Sequence, residues 1–478
     1  MTGPAFWPPI WLHFYGYIEA FVIVYVALVN TTYLTLMIIS YFALRKEALP
    51  FNAKEVAALA KSPLVPSVSV LAPAYNEAAT VRDSIRAMLS LRHPHHEVIV
   101  INDGSVDNTL KALTEEFRLY RSSRVALGAI PTAPVRGVYE SRDPIPLVVI
   151  DKHNGGKADA LNCGLNYSRH HLVAVVDADS IIEKDALLQI SRPFLTSPDE
   201  TVAVGGIIRI ANGCVIQHGQ VTAVQTPKNL LVRFQIVDYL RSFLGARTAL
   251  SFANTLLVIS GAFGLFRRDI LLDVGGYRRD TVGEDMELVV RLHRYCHEHK
   301  RRYCIEFLSD SVCWTEAPES SRVLRRQRTR WQRGCCESIL MHRCMIGNWR
   351  YGSVGLFGLP YFLACEIFGP VIEVCGYLVT IVGLGLGLIS PATTLLFFAV
   401  SVLFGLLLSV GSVLLEECTI CKYPNVRDLL ALLAAALLEN LGFRQATLLW
   451  RLQAILQVIR KKQRVWGEME RRGFRRAA

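Results

Sequence analysis

Two long apolar runs limit what this 478-residue chain can fold into. From Tyr17 to Leu44 it is almost wholly apolar, with Glu19 near one end, and from Ser353 to Glu416 it is apolar again. No Lys or Arg occurs between Tyr351 and Cys421. A helix needs about 20 apolar residues to cross a bilayer, so the first run suffices for one span. The second suffices for two, divided at Pro391 with Ser390, Thr393 and Thr394 beside it. Arg45 and Lys46 close the first run, and basic clusters at Arg322–Arg333 and Arg460–Arg476 flank the rest. Basic flanks mark the cytoplasmic ends of spans. The N-terminus and the Ser390–Thr394 turn are therefore expected outside, and the central block and basic tail inside. The N-terminus has neither a basic n-region nor a small-residue cleavage site, so no cleaved signal peptide is expected. At 51% hydrophobic and 19% charged residues, the chain is too apolar for an ordinary soluble protein. Its net charge of +11 is local to those clusters, whereas a nucleic-acid binder places a basic face on a soluble fold; no nucleic-acid partner is expected. The 12 cysteines are scattered. No His spacing completes a zinc site around Cys335-Cys336 or Cys418 and Cys421, so reduced thiols are expected.

Residues 47–66 form a polar linker ending at Pro63 and Pro66, after which strand-like and helix-like runs alternate. The strand-like runs are Ser67–Ala74, Glu97–Asn102, Leu147–Asp151, Leu172–Asp177 and Val202–Ile210. The helix-like runs are Glu77–Leu91, Val106–Tyr120, Gly156–Tyr167 and Lys184–Leu195. This spacing predicts an α/β domain with a parallel sheet and crossover helices, and such sheets bind ligands beyond the carboxyl ends of their strands. Glu366 and Glu373, seven apart within a span, share a helical face. They either line a polar cavity or are protonated and hydrogen-bond a neighbouring helix. Leu429–Leu438 is too short to span, and Glu439, Asn440, Arg444 and Arg451 follow it; an interfacial or re-entrant segment is expected.

The polar clusters fall at predicted strand ends. They are Ala74-Tyr75-Asn76-Glu77, Asn102-Asp103-Gly104-Ser105, Lys152-His153-Asn154-Gly155-Gly156-Lys157 and Asp177-Ala178-Asp179. The glycine-rich turn opening a helix offers backbone N–H groups and Lys157 to a phosphate. Asp177 and Asp179 can present two carboxylates to one divalent ion that also holds substrate phosphates. Downstream, Gly283-Glu284-Asp285 opens a helical pattern. An ionised Asp is favoured at a helix start and serves there as a general base, although Glu and Asp also serve as plain caps. Gln327-Arg328-Thr329-Arg330-Trp331 joins arginines suited to a leaving diphosphate with an indole suited to a sugar ring. An amphipathic basic helix on the membrane surface is the simpler reading of the same stretch.

Taken in this order, the clusters resemble those of the membrane-bound processive family 2 glycosyltransferases, the synthases of cellulose, chitin, hyaluronan and poly-N-acetylglucosamine. The resemblance covers about Ser67 to Arg333 and the flanking spans. It implies a Rossmann-like GT-A catalytic domain in the cytoplasm, inserted between transmembrane helices. The corresponding divisions are 1–46, an N-terminal transmembrane helix; 47–320, the GT-A domain; 321–350, interface helices with the QxxRW motif; 351–420, two spans; and 421–478, the interfacial or re-entrant segment and basic tail. By resemblance Tyr75, Glu77 and Asp103 bind the uracil and ribose of a nucleotide-sugar donor, and Lys157 the diphosphate. Asp177 and Asp179 hold Mg²⁺ or Mn²⁺ with the diphosphate. Asp285 is the catalytic base, with Glu284 beside it, and Gln327, Arg330 and Trp331 meet the diphosphate and the acceptor sugar. The implied activity is processive, inverting polymerisation of a sugar from a UDP-sugar, an N-acetylhexosamine or glucose. The polymer would cross the bacterial cytoplasmic membrane, with accessory or outer-membrane export subunits as further partners. The chain has no C-terminal cyclic-dinucleotide-binding barrel, which counts against the cellulose type. A non-processive transferase using a lipid-linked acceptor is the nearest alternative, and a transporter with an inactive domain is one from another class.

Overall fold

The structure is a computed structural model describing residues 9–47, 53–217 and 219–461. The end of the basic tail, from residue 462, lies outside the described residues. The central block contains β1 (Val68–Ala74), β2 (His96–Asp103), β3 (Leu119–Arg121), β4 (Val135–Ser141), β5 (Leu147–Lys152), β6 (Leu172–Val176), β7 (Ile181–Ile182), β8 (Thr201–Ile210), β9 (Val215–Gln217), β10 (Gln220–Ala223), β11 (Phe263–Arg267) and β12 (Cys304–Thr315). Ten of these form one sheet in the order β3-β4-β5-β2-β1-β6-β11-β8-β12-β7, and β9 and β10 pair as a hairpin. Near-continuous Val, Ile, Leu and Ala runs make strands buried on both faces; every residue of β5, β6 and β8 is buried.

The four strands β5, β2, β1 and β6 run parallel, as the alternation of elements predicts. The sheet as a whole is mixed, which corrects the expectation of a parallel one: β11 lies antiparallel between β6 and β8, and β4 lies antiparallel to β5. Three expected helices are also shorter, the first of them, Glu77–Leu91, being helical only over Val81–Leu89. Val106–Tyr120 is helical only over Thr109–Phe117, because Arg118 turns left-handed (φ 47°) and the chain leaves as β3. Lys184–Leu195 divides into Ala186–Ile190 and Arg192–Thr196 at Ser191, with Pro193 opening the second helix.

Among the described residues three helices are long and apolar enough to cross a membrane: His13–Lys46, Val354–Gly385 and Pro391–Thr419. The break at Pro391 is capped by Ser390, whose side chain accepts from the Thr393 N–H. Beyond them, helices Val426–Leu438 and Phe443–Ile459 pack back on the protein, the latter along the motif-bearing helix Ser321–Met341. Parallel pairing sets Ala74 beside Asn102, Asn102 beside Asp151 and Asp103 beside Lys152. The sheet thereby gathers on one edge residues that are scattered over a hundred positions of sequence.

Candidate active site

Along that edge the chain hydrogen-bonds to itself first. Asp103 is buried, and its Oδ1 accepts from Lys152 Nζ at 2.5 Å and from the Gly155 N–H at 3.0 Å. Its Oδ2 accepts from the Gly156 N–H at 2.8 Å. The glycine-rich turn was expected to offer these amides to a phosphate; they are spent on Asp103 instead. Lys152 is wholly buried and also pairs with Asp159 at 2.8 Å, so one cation locks two turns and a helix together. The sequence cluster begins with this lysine but assigns it no role; burial gives it one.

Gly156 (φ 87°) ends the turn and directs Lys157 inward. Lys157 Nζ donates to Asp177 Oδ1 at 2.5 Å and to the Gly261 carbonyl at 3.2 Å. Burial pushes the ammonium down, but Asp177, Glu284 and Asp285 outweigh it and hold Lys157 above the ordinary lysine value. The Gly261 N–H donates to Asp285 Oδ2 at 3.3 Å. Gly261 is thus the link between Lys157 and Asp285, and it sits at the start of the apolar run that becomes β11.

The helix Glu284–Glu298 begins with Gly283 as its N-cap, which carries no side chain to cap with. Asp285 spends Oδ1 on the adjacent Met286 N–H at 2.8 Å. Glu284 is buried, and desolvation followed by the charge of Asp285 pushes its carboxyl up. Gly283 and Gly334 touch back to back: a Cβ on either would lie 2.6–2.7 Å from the other's Cα. Glu337 adds to this contact, accepting from Thr281 Oγ1 at 3.0 Å and the Val282 N–H at 3.1 Å. This contact is what brings the QxxRW helix against the base turn. Gly334 and Glu337 lie just past the motif, and only the packing identifies them.

One cavity of about 1540 Å³ collects these groups. Its walls include Lys157, Asp177, Asp179, Glu284 and Asp285, and also Gln327, Arg330 and Trp331. Tyr75, Glu77 and Asp103 do not line it. Tyr75 is exposed, and Glu77 accepts from Thr80 Oγ1 at 2.9 Å. Asp177 and Asp179 face one space and no group of three His, Cys, Asp or Glu side chains converges among the described residues. Two carboxylates suit a Mg²⁺ or Mn²⁺ ion whose other ligands are diphosphate and water, so the residues present fit that ion.

From the base the cavity continues between the membrane helices to Tyr25, Tyr33, Glu366 and Glu373. Pro370 cannot donate to the Glu366 carbonyl four residues back. That carbonyl accepts instead from Gln332 Nε2 at 2.6 Å and Arg451 Nη2 at 2.8 Å. The Glu366 carboxylate takes Tyr33 OH at 2.9 Å and Arg451 Nη2 at 2.7 Å. Glu366 therefore lines the cavity, and it meets the neighbouring helices through Tyr33 and through an ion pair with Arg451, not as the protonated acid of the second alternative. Glu373 lines the cavity as well.

Two family descriptions match the chain: Glycosyl transferase family 2 over residues 69–129 and Glycosyltransferase like family 2 over residues 135–334. Together they take in more than half of the chain, which belongs to glycosyltransferase family 2, and its mixed Rossmann-type sheet is a GT-A domain. Within the family it is a relative of polysaccharide synthases. It is 30% identical over 304 residues to a poly-beta-1,6-N-acetyl-D-glucosamine synthase of Staphylococcus epidermidis, covering 63% of this chain and 62% of that one. It is 28% identical over 275 residues to the synthase of the same name from Staphylococcus aureus strain COL, covering 57% and 55%. The chain thus spans about three fifths of the length of the curated relatives it matches. Among solved structures, a mannosyltransferase from Pyrobaculum calidifontis in complex with GDP-Man and Mn²⁺ is 18% identical at a TM-score of 0.49, covering 87% of this chain and 99% of that one.

Proposed function

We propose that the chain is a processive, inverting β-glycosyltransferase. It adds sugars from a nucleotide-diphosphate donor, an N-acetylhexosamine by analogy with the relatives' names, to a polysaccharide that it passes across the cytoplasmic membrane. The observation that carries this reading is the single cavity that runs from Lys157, Asp177 and Asp285 past Trp331 to Glu366 and Glu373 among the membrane helices. A polymer leaving through the membrane needs a cavity that continues in this way from Asp285 to the membrane helices.

The chemistry follows from the walls. Asp285 takes the proton of the acceptor hydroxyl as its oxygen attacks the anomeric carbon. The bond from that carbon to the diphosphate oxygen breaks, its electron pair leaving with the diphosphate, and attack opposite the leaving group inverts the centre. Lys157 and Arg330 face the developing charge, where preorganised cations are worth most. A divalent ion held by Asp177 and Asp179 would supply further charge neutralisation at the diphosphate. Glu284 lies buried beside the base, its carboxyl pushed up by desolvation and then by the charge of Asp285. Tyr75 and Glu77, at the ends of the parallel strands, remain the proposed nucleoside contacts. Asp103 acts there by shaping the turn that carries Lys157.

Membrane vesicles given a panel of radiolabelled nucleotide sugars test the reading. Long product, digested by a linkage-specific hydrolase, is expected; a single-sugar product would establish the non-processive alternative.

A further inference from the structure

The QxxRW helix carries an arginine whose place is not at the diphosphate. Arg328 Nη1 pairs with Asp238 Oδ2 at 2.7 Å. Its Cζ lies 4.7 Å from the Trp331 ring centre and 5.9 Å from that of Tyr239, and the two rings are themselves 6.2 Å apart. The donors not given to Asp238, Nε and Nη2, are buried and hydrogen-bonded to nothing among the described residues. The two aromatic faces are therefore what hold that side of the guanidinium. Asp238 is not a private partner. Its Oδ1 accepts from Arg241 Nη2 at 2.7 Å, and Arg241 Nη1 passes on to Glu439 Oε1 at 2.7 Å and Ser409 Oγ at 3.0 Å. Burial pushes Asp238 up, but Arg328 and Arg241 outweigh it and keep it below the usual carboxylate range. The chain of polar contacts thus starts under the indole and ends on Glu439 and on Ser409 of helix Phe404–Thr419.

We propose that Arg328, clamped by Asp238, is a positioning residue for Trp331, fixing the indole plane on which the acceptor sugar stacks. The proposal rests on the reading of Trp331 as the acceptor platform. A flat guanidinium sandwiched between an acid and two rings is a role that Lys, a compact point charge, does not fill. The motif's two arginines therefore divide the work, Arg330 at the leaving group and Arg328 beneath the platform.

The test uses the full-length protein in nanodiscs, labelled with fluorotryptophan, the Trp331 resonance being assigned by Trp331→Phe. Asp238→Asn and Arg328→Lys are each compared with the parent for that resonance, for donor hydrolysis without acceptor, and for acceptor KM with a short oligosaccharide. A shifted or broadened resonance is expected, with acceptor KM raised at least tenfold and donor hydrolysis within about twofold of the parent. Asp238→Glu, which can still reach both arginines, is expected to restore most of the acceptor affinity. An unchanged Trp331 resonance, or donor hydrolysis falling in step with polymer synthesis, would overturn the proposal. Trp331→Ala with parental acceptor KM would instead overturn the platform reading beneath it, and that result is seen without any Arg328 variant.

Discussion

Asp285 is where catalysis separates from capping. Gly283 is the N-cap of its helix, and Asn matches Asp in size and polarity, so Asp285→Asn is expected to express and fold normally. As a lost general base it should cut polymer synthesis by at least about a hundredfold while nucleotide affinity, measured by calorimetry, stays close to the parent. Activity within a few-fold of the parent would move the base elsewhere, with Glu284 next in line. Asp179→Asn addresses the metal. Turnover should vanish in a folded protein, and full activity of this variant in EDTA would refute the metal assignment. A third residue governs acid stability. His93 is buried beside His95, His96 and His170, and burial, followed by those three imidazoles, lowers it from 6.5 to about 3. The folded protein then binds fewer protons than the unfolded chain below 6.5, so His93 costs stability progressively as pH falls from 6.5 towards 3. Unfolding midpoints measured across that window should fall less steeply in His93→Leu than in the parent.

At the scale of elements, the sheet and the last candidate span are fastened by one ion pair. Arg209, near the end of β8, donates two bonds of 3.0 and 2.9 Å to Glu416 on helix Phe404–Thr419, and both side chains are buried. Lys422 reinforces the joint by pairing with Glu183 at 2.9 Å, which in turn accepts from Trp314 Nε1 at 3.0 Å. Removing one partner of a buried pair typically costs about 3–5 kcal/mol, whereas replacing both by apolar groups is often neutral. Glu416→Ala should therefore lower the unfolding midpoint in detergent markedly, and Arg209→Met combined with Glu416→Leu should recover most of the loss. If the single variant is as stable as the parent, the pair does not hold the joint.

At the scale of the whole molecule, the charge pattern makes a prediction about sidedness. Arg45 and Lys46 end one candidate span, and the next two meet at the uncharged Pro391 turn. Cysteine labelling in intact cells should find Ser390–Thr394 accessible from outside and the Asp285 side of the cavity accessible only after permeabilisation. A Pro391 turn reached only from the cytoplasm would invert the proposed direction of transport.

What the sequence determined by itself was whatever depends on neighbours in the chain. The spans followed from length and the absence of charge. Strands β1, β2, β5, β6 and β8 followed from β-branched runs, the clusters holding Asp103, Lys157 and Asp179 from the turns at strand ends, and those holding Asp285 and Trp331 from helical patterns. Tertiary structure decided what depends on approach between distant segments. It set β11 antiparallel between β6 and β8, brought Gly283 against Gly334, spent the glycine amides on Asp103, and placed Arg328 on Asp238 and Glu416 on Arg209. A buried charge or a bare glycine carries no sign in sequence of which surface it will meet. Its partner is chosen when the sheet and the membrane helices close on each other, because only then does leaving it unpaired cost energy.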